Sequence, residues 1–119
     1  MGAALAAQCT NDQGKFWQFH NMLYSNQKPI DSGWVSTENL KKFALLIPGL
    51  DAQKFNSCLD SDKYKAFVEN DIKLASSFGF RETPSFIIVD INGSNPELLQ
   101  GALPFPSFKA VIDKKLSWS

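Results

Sequence analysis

The sequence is that of an α+β chain whose hydrophobic period changes once, near residue 80. Three features carry this reading. Up to Gly79, apolar residues recur at three- and four-residue steps, the spacing of one helix face. From Ser85 to Ile91 they run almost continuously, rich in β-branched and aromatic side chains, as in a short strand buried on both faces. Between the two, Thr83-Pro84 marks a break, because proline has no N–H and restricts the residue before it. Pro84 therefore sits just outside the strand or at its first residue. It is a candidate for a cis bond, since only X–Pro bonds adopt cis cheaply; an ordinary trans proline is the alternative.

Ala3 to Cys9 holds strong helix formers and reads as a short helix. In Gln13 to Ser25, Phe16, Phe19, His20 and Leu23 share a face, with Trp17 and Tyr24 beside them. An aromatic stripe of this kind is either core or a ligand platform. Packing explains it without a ligand, and His20 has no second histidine and no nearby nucleophile to work with. Asn26 to Val35 contains Pro29, Asp31, Ser32 and Gly33 and reads as a loop, pinned by Trp34. Ser36 or Thr37 can cap the next helix, where Leu40, Phe43, Ala44 and Ile47 align before Pro48-Gly49 stops it. Asp51 can cap a short helix carrying Phe55, Cys58 and Leu59. Ser61 or Asp62 opens a longer one through Tyr64, Phe67, Val68, Ile72, Ala75 and Phe78, ended by Gly79. Beyond the strand, Asn92-Gly93 is a hairpin dipeptide and Glu97 to Gly101 a second strand. Pro104 and Pro106 introduce a last helix with Phe105, Phe108, Ile112 and Leu116 as its buried stripe. Asn92-Gly93-Ser94 also matches a glycosylation acceptor, but the turn explains it better.

At 119 residues there is room for one domain. Twelve basic residues balance twelve acidic ones, which gives no electrostatic case for nucleic acid or an anionic membrane. No apolar run approaches the ~20 residues of a membrane span. Met1 to Ala7 is too short and lacks the basic flank of a signal peptide. Met1-Gly2 is compatible with an artificial start, with targeting information lost upstream. Two cysteines, Cys9 and Cys58, could be a disulfide, a thiol pair or unrelated core residues. They form no C-x-x-C motif and no zinc knuckle. With one histidine and no ligand spacing, no metal site and no cofactor are expected.

Taken in order, these residues resemble the second half of a DsbA-like thioredoxin-fold protein. The matching positions are Ala3-Ala4, Ala7 and Cys9; Gln13 to Trp17 and His20; Phe55, Cys58 and Leu59; Gly79 and Thr83-Pro84-Ser85-Phe86; and Gly101, Pro104-Phe105, Phe108 and Ile112-Asp113. Glu82 departs from the pattern, since relatives often carry glycine there. The resemblance implies an incomplete thioredoxin-like fold. Residues 1–80 would be the helical subdomain, and 81–119 the ββα half. It implies thiol–disulfide oxidoreductase ancestry, an extracytoplasmic setting and protein or peptide thiol substrates. It also implies that Thr83 and Pro84 are the substrate-recognition elements.

The family's redox pair belongs to a βαβ unit that nothing here matches, so neither cysteine inherits that role and no catalytic residue is assigned. The chain is then a fragment or truncated relative, a cut gene or excised piece being the preferred explanation, and inactive alone. By the same family analogy Cys9 and Cys58 form a structural disulfide, stabilising by roughly 4 kcal/mol through loop closure; two buried thiols are the alternative. Without the βαβ unit the first strand has an open apolar edge, which predicts a homo-oligomer. Two other functions stay open: a non-catalytic peptide-binding or oligomerisation module, and a relative of the kappa-type glutathione transferases, which share the helical insertion.

Overall fold

The computed structural model describes residues 1–117. Eight elements follow in order: α1 (Gly2–Asn11), α2 (Phe16–Ser25), α3 (Thr37–Leu45), α4 (Ala52–Asp60), α5 (Lys65–Ser77), β1 (Ser85–Ile88), β2 (Glu97–Gln100) and α6 (Phe105–Leu116). The chain is mixed α+β and divides into two compact units, Met1–Asn70 and the residues from Asp71 on, with the division inside α5.

The first unit owns the core. Ala6, Cys9, Phe19, Leu40, Ala44, Ile47, Phe55 and Leu59 form one buried cluster, drawn from α1 to α4 and the turn after α3. The apolar spacing read from the sequence accounts for it, because α1, α3 and α4 each contribute two residues three or four apart and α2 contributes Phe19. Phe19 and Phe55 lie at its centre, with ring centroids 5.9 Å apart. Caps set the helix starts. Ser36 Oγ accepts the Asn39 N–H at 3.1 Å, and Asp51 Oδ1 accepts the Lys54 N–H at 3.1 Å. Trp34 reaches the body through an edge contact with Phe43. On α2, His20 stands between the rings of Trp17 and Tyr24, and its Nδ1 lies 3.2 Å from Asn21 Oδ1. The aromatic face is thus split: Phe19 is core, while Trp17 and Tyr24 are exposed.

The start of α5 differs from the sequence reading. Ser61 and Asp62 do not open it: Ser61 caps the C-terminus of α4, and Asp62 turns the chain with φ 54° before the helix begins at Lys65. At its far end Gly79, at φ 81°, takes the left-handed conformation that closes a helix, and Phe80 N–H returns to Ala75 O.

In the second unit β1 and β2 pair antiparallel, with Ser85 opposite Gln100 and Ile88 opposite Glu97. β1 ends three residues earlier than its apolar run. Asp90 N–H bonds Ser94 O at 2.8 Å and Gly93 N–H bonds Asp90 O at 2.8 Å, so the turn begins at Asp90 and Ile91 is left fully exposed. The turn is tied to α6 by Lys115, which pairs with Asp90 at 3.5 Å and donates to Asn95 O, and by Lys114, 2.7 Å from Glu97. Two expectations of burial fail here. β1 is not buried on both faces, since Phe86 is exposed, as is Val89 just beyond the strand, and Phe105 and Ile112 of α6 are exposed too. Phe108 packs edge-on against Phe86 at 5.0 Å. A two-stranded sheet with one helix has too few layers to close a core.

Candidate functional site

Thr83 and Pro84, the positions read as substrate-recognition elements, lie in the turn between α5 and β1. Both are exposed, and the peptide bond between them is cis. The turn is anchored from both sides. Arg81 N–H donates to Gln100 Oε1 at 2.8 Å, and Gly101 N–H donates to Pro84 O at 2.7 Å. Gly101 has φ 88°, and a Cβ placed there would meet the Glu82 carboxylate at 3.4 Å. Glycine is thus favoured at 101 by its left-handed backbone conformation, the Glu82 contact being of ordinary van der Waals length. Among the described residues, no hydrogen bond takes up the Thr83 backbone N–H or carbonyl. Beside the turn is an open cleft of about 540 Å³, with Ile72, Ala75 and Phe80 supplying apolar wall and Arg81, Glu82 and Thr83 the rim.

In the first unit Cys9 and Cys58 are joined by a disulfide, with Cα atoms 5.8 Å apart across 49 residues. It ties α1 to α4. Cys9 is 2% exposed, whereas Cys58 is only partly buried and lies at the side of a polar cleft.

Next to this bridge is a cluster that sequence reasoning missed. Asp12, at the C-cap of α1, takes Lys63 Nζ at 2.8 Å on Oδ2 and the Tyr64 hydroxyl on Oδ1. Lys63 also stands over the Tyr64 ring, 5.3 Å from its centre. Alongside, the Gln13 side chain reads both backbone groups of Asp51: Nε2 donates to its carbonyl at 3.1 Å and Oε1 accepts its N–H at 2.7 Å. A carboxylate at a helix C-terminus opposes the macrodipole, typically by 0.3–1 kcal/mol, estimated roughly for exposed sites. The two donors offset this. The Lys63 hydrogen bond is the main reason the Asp12 carboxyl is held below the usual carboxylate range; the Tyr64 hydroxyl adds to it, and partial burial opposes both. The Tyr64 phenol is correspondingly raised, first by its bond to Asp12.

A carboxyl whose folded pKa is depressed stabilises above its unfolded value, near pH ~4, and the contribution is lost as pH falls through the folded value. In urea unfolding followed from neutral pH into acid, the stability difference between the natural chain and D12N should therefore shrink through that window. A difference that stayed constant down to pH ~2 would show that ionised Asp12 contributes nothing.

Among the described residues no group of three or more His, Cys, Asp or Glu is arranged to hold a metal ion. No helix of the described residues is long and apolar enough to cross a membrane.

A family model described as thioredoxin matches residues 1–114. The chain belongs to the thioredoxin family. Several curated relatives carry names from disulfide chemistry. A Bacillus anthracis protein named as a probable disulfide bond formation protein D is 31% identical over 118 residues, which is 98% of this chain and 51% of the relative. Disulfide bond formation protein D of Bacillus subtilis is 24% identical over 116 residues, 96% of this chain and 50% of the relative. A Rickettsia felis protein whose name includes protein-disulfide oxidoreductase is 26% identical over 120 residues, 98% of this chain and 39% of the relative. The chain thus spans about half the length of the Bacillus relatives it matches. No solved structure matches it at a significant level. The DsbA-like resemblance read from the sequence agrees with this family match and with the names of these relatives.

Proposed function

We propose that this chain is the substrate-recognition part of a DsbA-like thiol–disulfide oxidoreductase, acting on protein or peptide thiols outside the cytoplasm. On this reading residues 1–80 are the inserted helical subdomain and 81–119 the ββα part of the thioredoxin fold. The observation that supports it best is the exposed Thr83 backbone. Its N–H and carbonyl have no partner among the described residues, and they sit at the mouth of β1 beside an apolar-walled cleft. An extended peptide finds there both hydrogen-bonding groups and a place for a side chain. The names of the relatives favour disulfide chemistry over glutathione transfer.

The chain by itself carries no exchange-active pair on this reading. Its two cysteines are spent on each other, and neither stands at a helix N-terminus. Truncation relative to the whole enzyme is part of the proposal, as is self-association through the exposed apolar residues of β1 and α6.

The test has two arms. Added to an insulin-reduction assay, the chain should give no acceleration over the reductant alone. Titrated with an unfolded peptide whose cysteine is replaced by serine, the isotope-labelled chain should show amide shifts at residues 81–85 and at Gly101. Shifts confined to α1–α4, or none at millimolar peptide, would end the substrate-recognition reading. Measurable turnover in the first arm would overturn the claim that the chain lacks its redox pair.

A further inference from the structure

The Cys9–Cys58 bridge sits in electrostatic surroundings opposite to those of an exchange-active cysteine. Reactive thiols are found at helix N-termini, where exposed N–H groups and the macrodipole favour the thiolate. Here Cys9 lies in the last turn of α1 and Cys58 in the last turn of α4. Both sulfurs therefore stand at the helix end whose carbonyls disfavour negative charge. Asp12 adds a full charge, its Oδ2 4.0 Å from Cys58 Sγ. A disulfide sulfur has no proton to donate, so this is a contact and not a hydrogen bond. Helix formation gives no reason for an acid at this C-cap. Its two donors, Lys63 and Tyr64, hold it there against the macrodipole and against the sulfur.

We infer that Asp12 guards the Cys9–Cys58 disulfide against thiol exchange, keeping it a structural tie within an oxidoreductase family. In exchange, an external thiolate attacks the more accessible sulfur, Cys58 Sγ. A new S–S bond forms to Cys58 while the bond to Cys9 breaks, and Cys9 leaves as a thiolate that takes a proton from water. A second external thiolate then attacks the external sulfur of the mixed disulfide. It releases the Cys58 thiolate, which is also protonated, so two external thiols supply two electrons and end as their own disulfide.

Asp12 acts on the first attack by repelling the incoming anion. The burial of Cys9 and its place at a helix C-terminus act on the departure, because a thiolate that is costly to form is a poor leaving group. Lys63 does not cancel the effect. It pairs with Oδ2 at 2.8 Å and weakens the carboxylate's field, but its side chain is 55% exposed against 32% for Asp12, and it is Oδ2 that stands 4.0 Å from the sulfur.

The test compares reduction of the whole chain by two thiols of opposite side-group charge, mercaptoethanesulfonate and cysteamine. Rates are read by alkylation and mass, each normalised to reduction of an uncharged small disulfide. D12N should speed the anionic reagent about tenfold and the cationic one no more than about twofold. Equal acceleration of both would mean that the substitution had merely loosened the helix ends, and no acceleration would mean that the carboxylate repels nothing; either overturns the inference. The unsubstituted protein supplies an independent check. Raising salt from ~0.02 to ~0.5 M should raise the ratio of anionic to cationic rates, because screening removes the repulsion, and a flat ratio would count against it.

Discussion

Phe55→Ala is expected to destabilise the first unit by about 3–5 kcal/mol, the usual loss for a phenylalanine removed from a closed core. Phe55 is 0% exposed, as is Phe19 across from it, and α1 to α4 all supply residues to the same cluster. Whole domains are commonly stable by only about 5–15 kcal/mol, so a loss of this size removes a large fraction of the stability. Urea unfolding of the oxidised protein, followed by far-UV circular dichroism, measures the shift. Phe105→Ala is the control. That side chain is 71% exposed, and its loss should change stability by less than about 0.5 kcal/mol. Equal shifts for the two variants would mean that the core has been placed in the wrong part of the chain.

The second large effect is covalent. Replacing Cys9 and Cys58 together by alanine should cost about 4 kcal/mol, the loop-closure entropy that a bridge across 49 residues removes from the unfolded chain. The loss should appear as a fall in the urea midpoint of roughly 2 M, for a slope between about 1 and 3 kcal/mol/M. Reducing the natural chain should reproduce most of it without any substitution. Alanine at position 9 also vacates buried volume, so the double variant should be somewhat weaker than the reduced protein. If the oxidised chain, the reduced chain and the double variant unfold at the same midpoint, the bridge constrains nothing.

What could be read from the sequence divides by range. The caps at Ser36 and Asp51 were legible because a cap is a contact three residues long, and Gly79 because a left-handed stop is a property of one residue. The pattern change at Thr83-Pro84 was legible for the same reason. The start of α5 was not. Ser61 and Asp62 have capping chemistry, but the Ser61 position closes the helix before it, and nothing local tells a closing serine from an opening one. Burial was over-read in the second unit. Phe86 and Phe105 are apolar, but apolarity becomes burial only where another layer faces it. Asp12 was invisible as a functional candidate. Its partners, Lys63 and Tyr64, are 51 and 52 residues away, and only the packing of α1 against the end of α4 brings them together. The Cys9–Cys58 pairing was likewise open from the residues themselves and came only from the family likeness.

The bridge has a converse, because coupling between two equilibria is reciprocal. Whatever the bond adds to the folded chain, folding adds to the bond. A stabilisation of about 4 kcal/mol corresponds to a roughly thousandfold higher effective concentration of one sulfur at the other in the native chain than in the unfolded one. The helices thus act as a template for their own oxidation: a newly made chain need not find the pairing by chance, since packing α1 against α4 already carries the two sulfurs together.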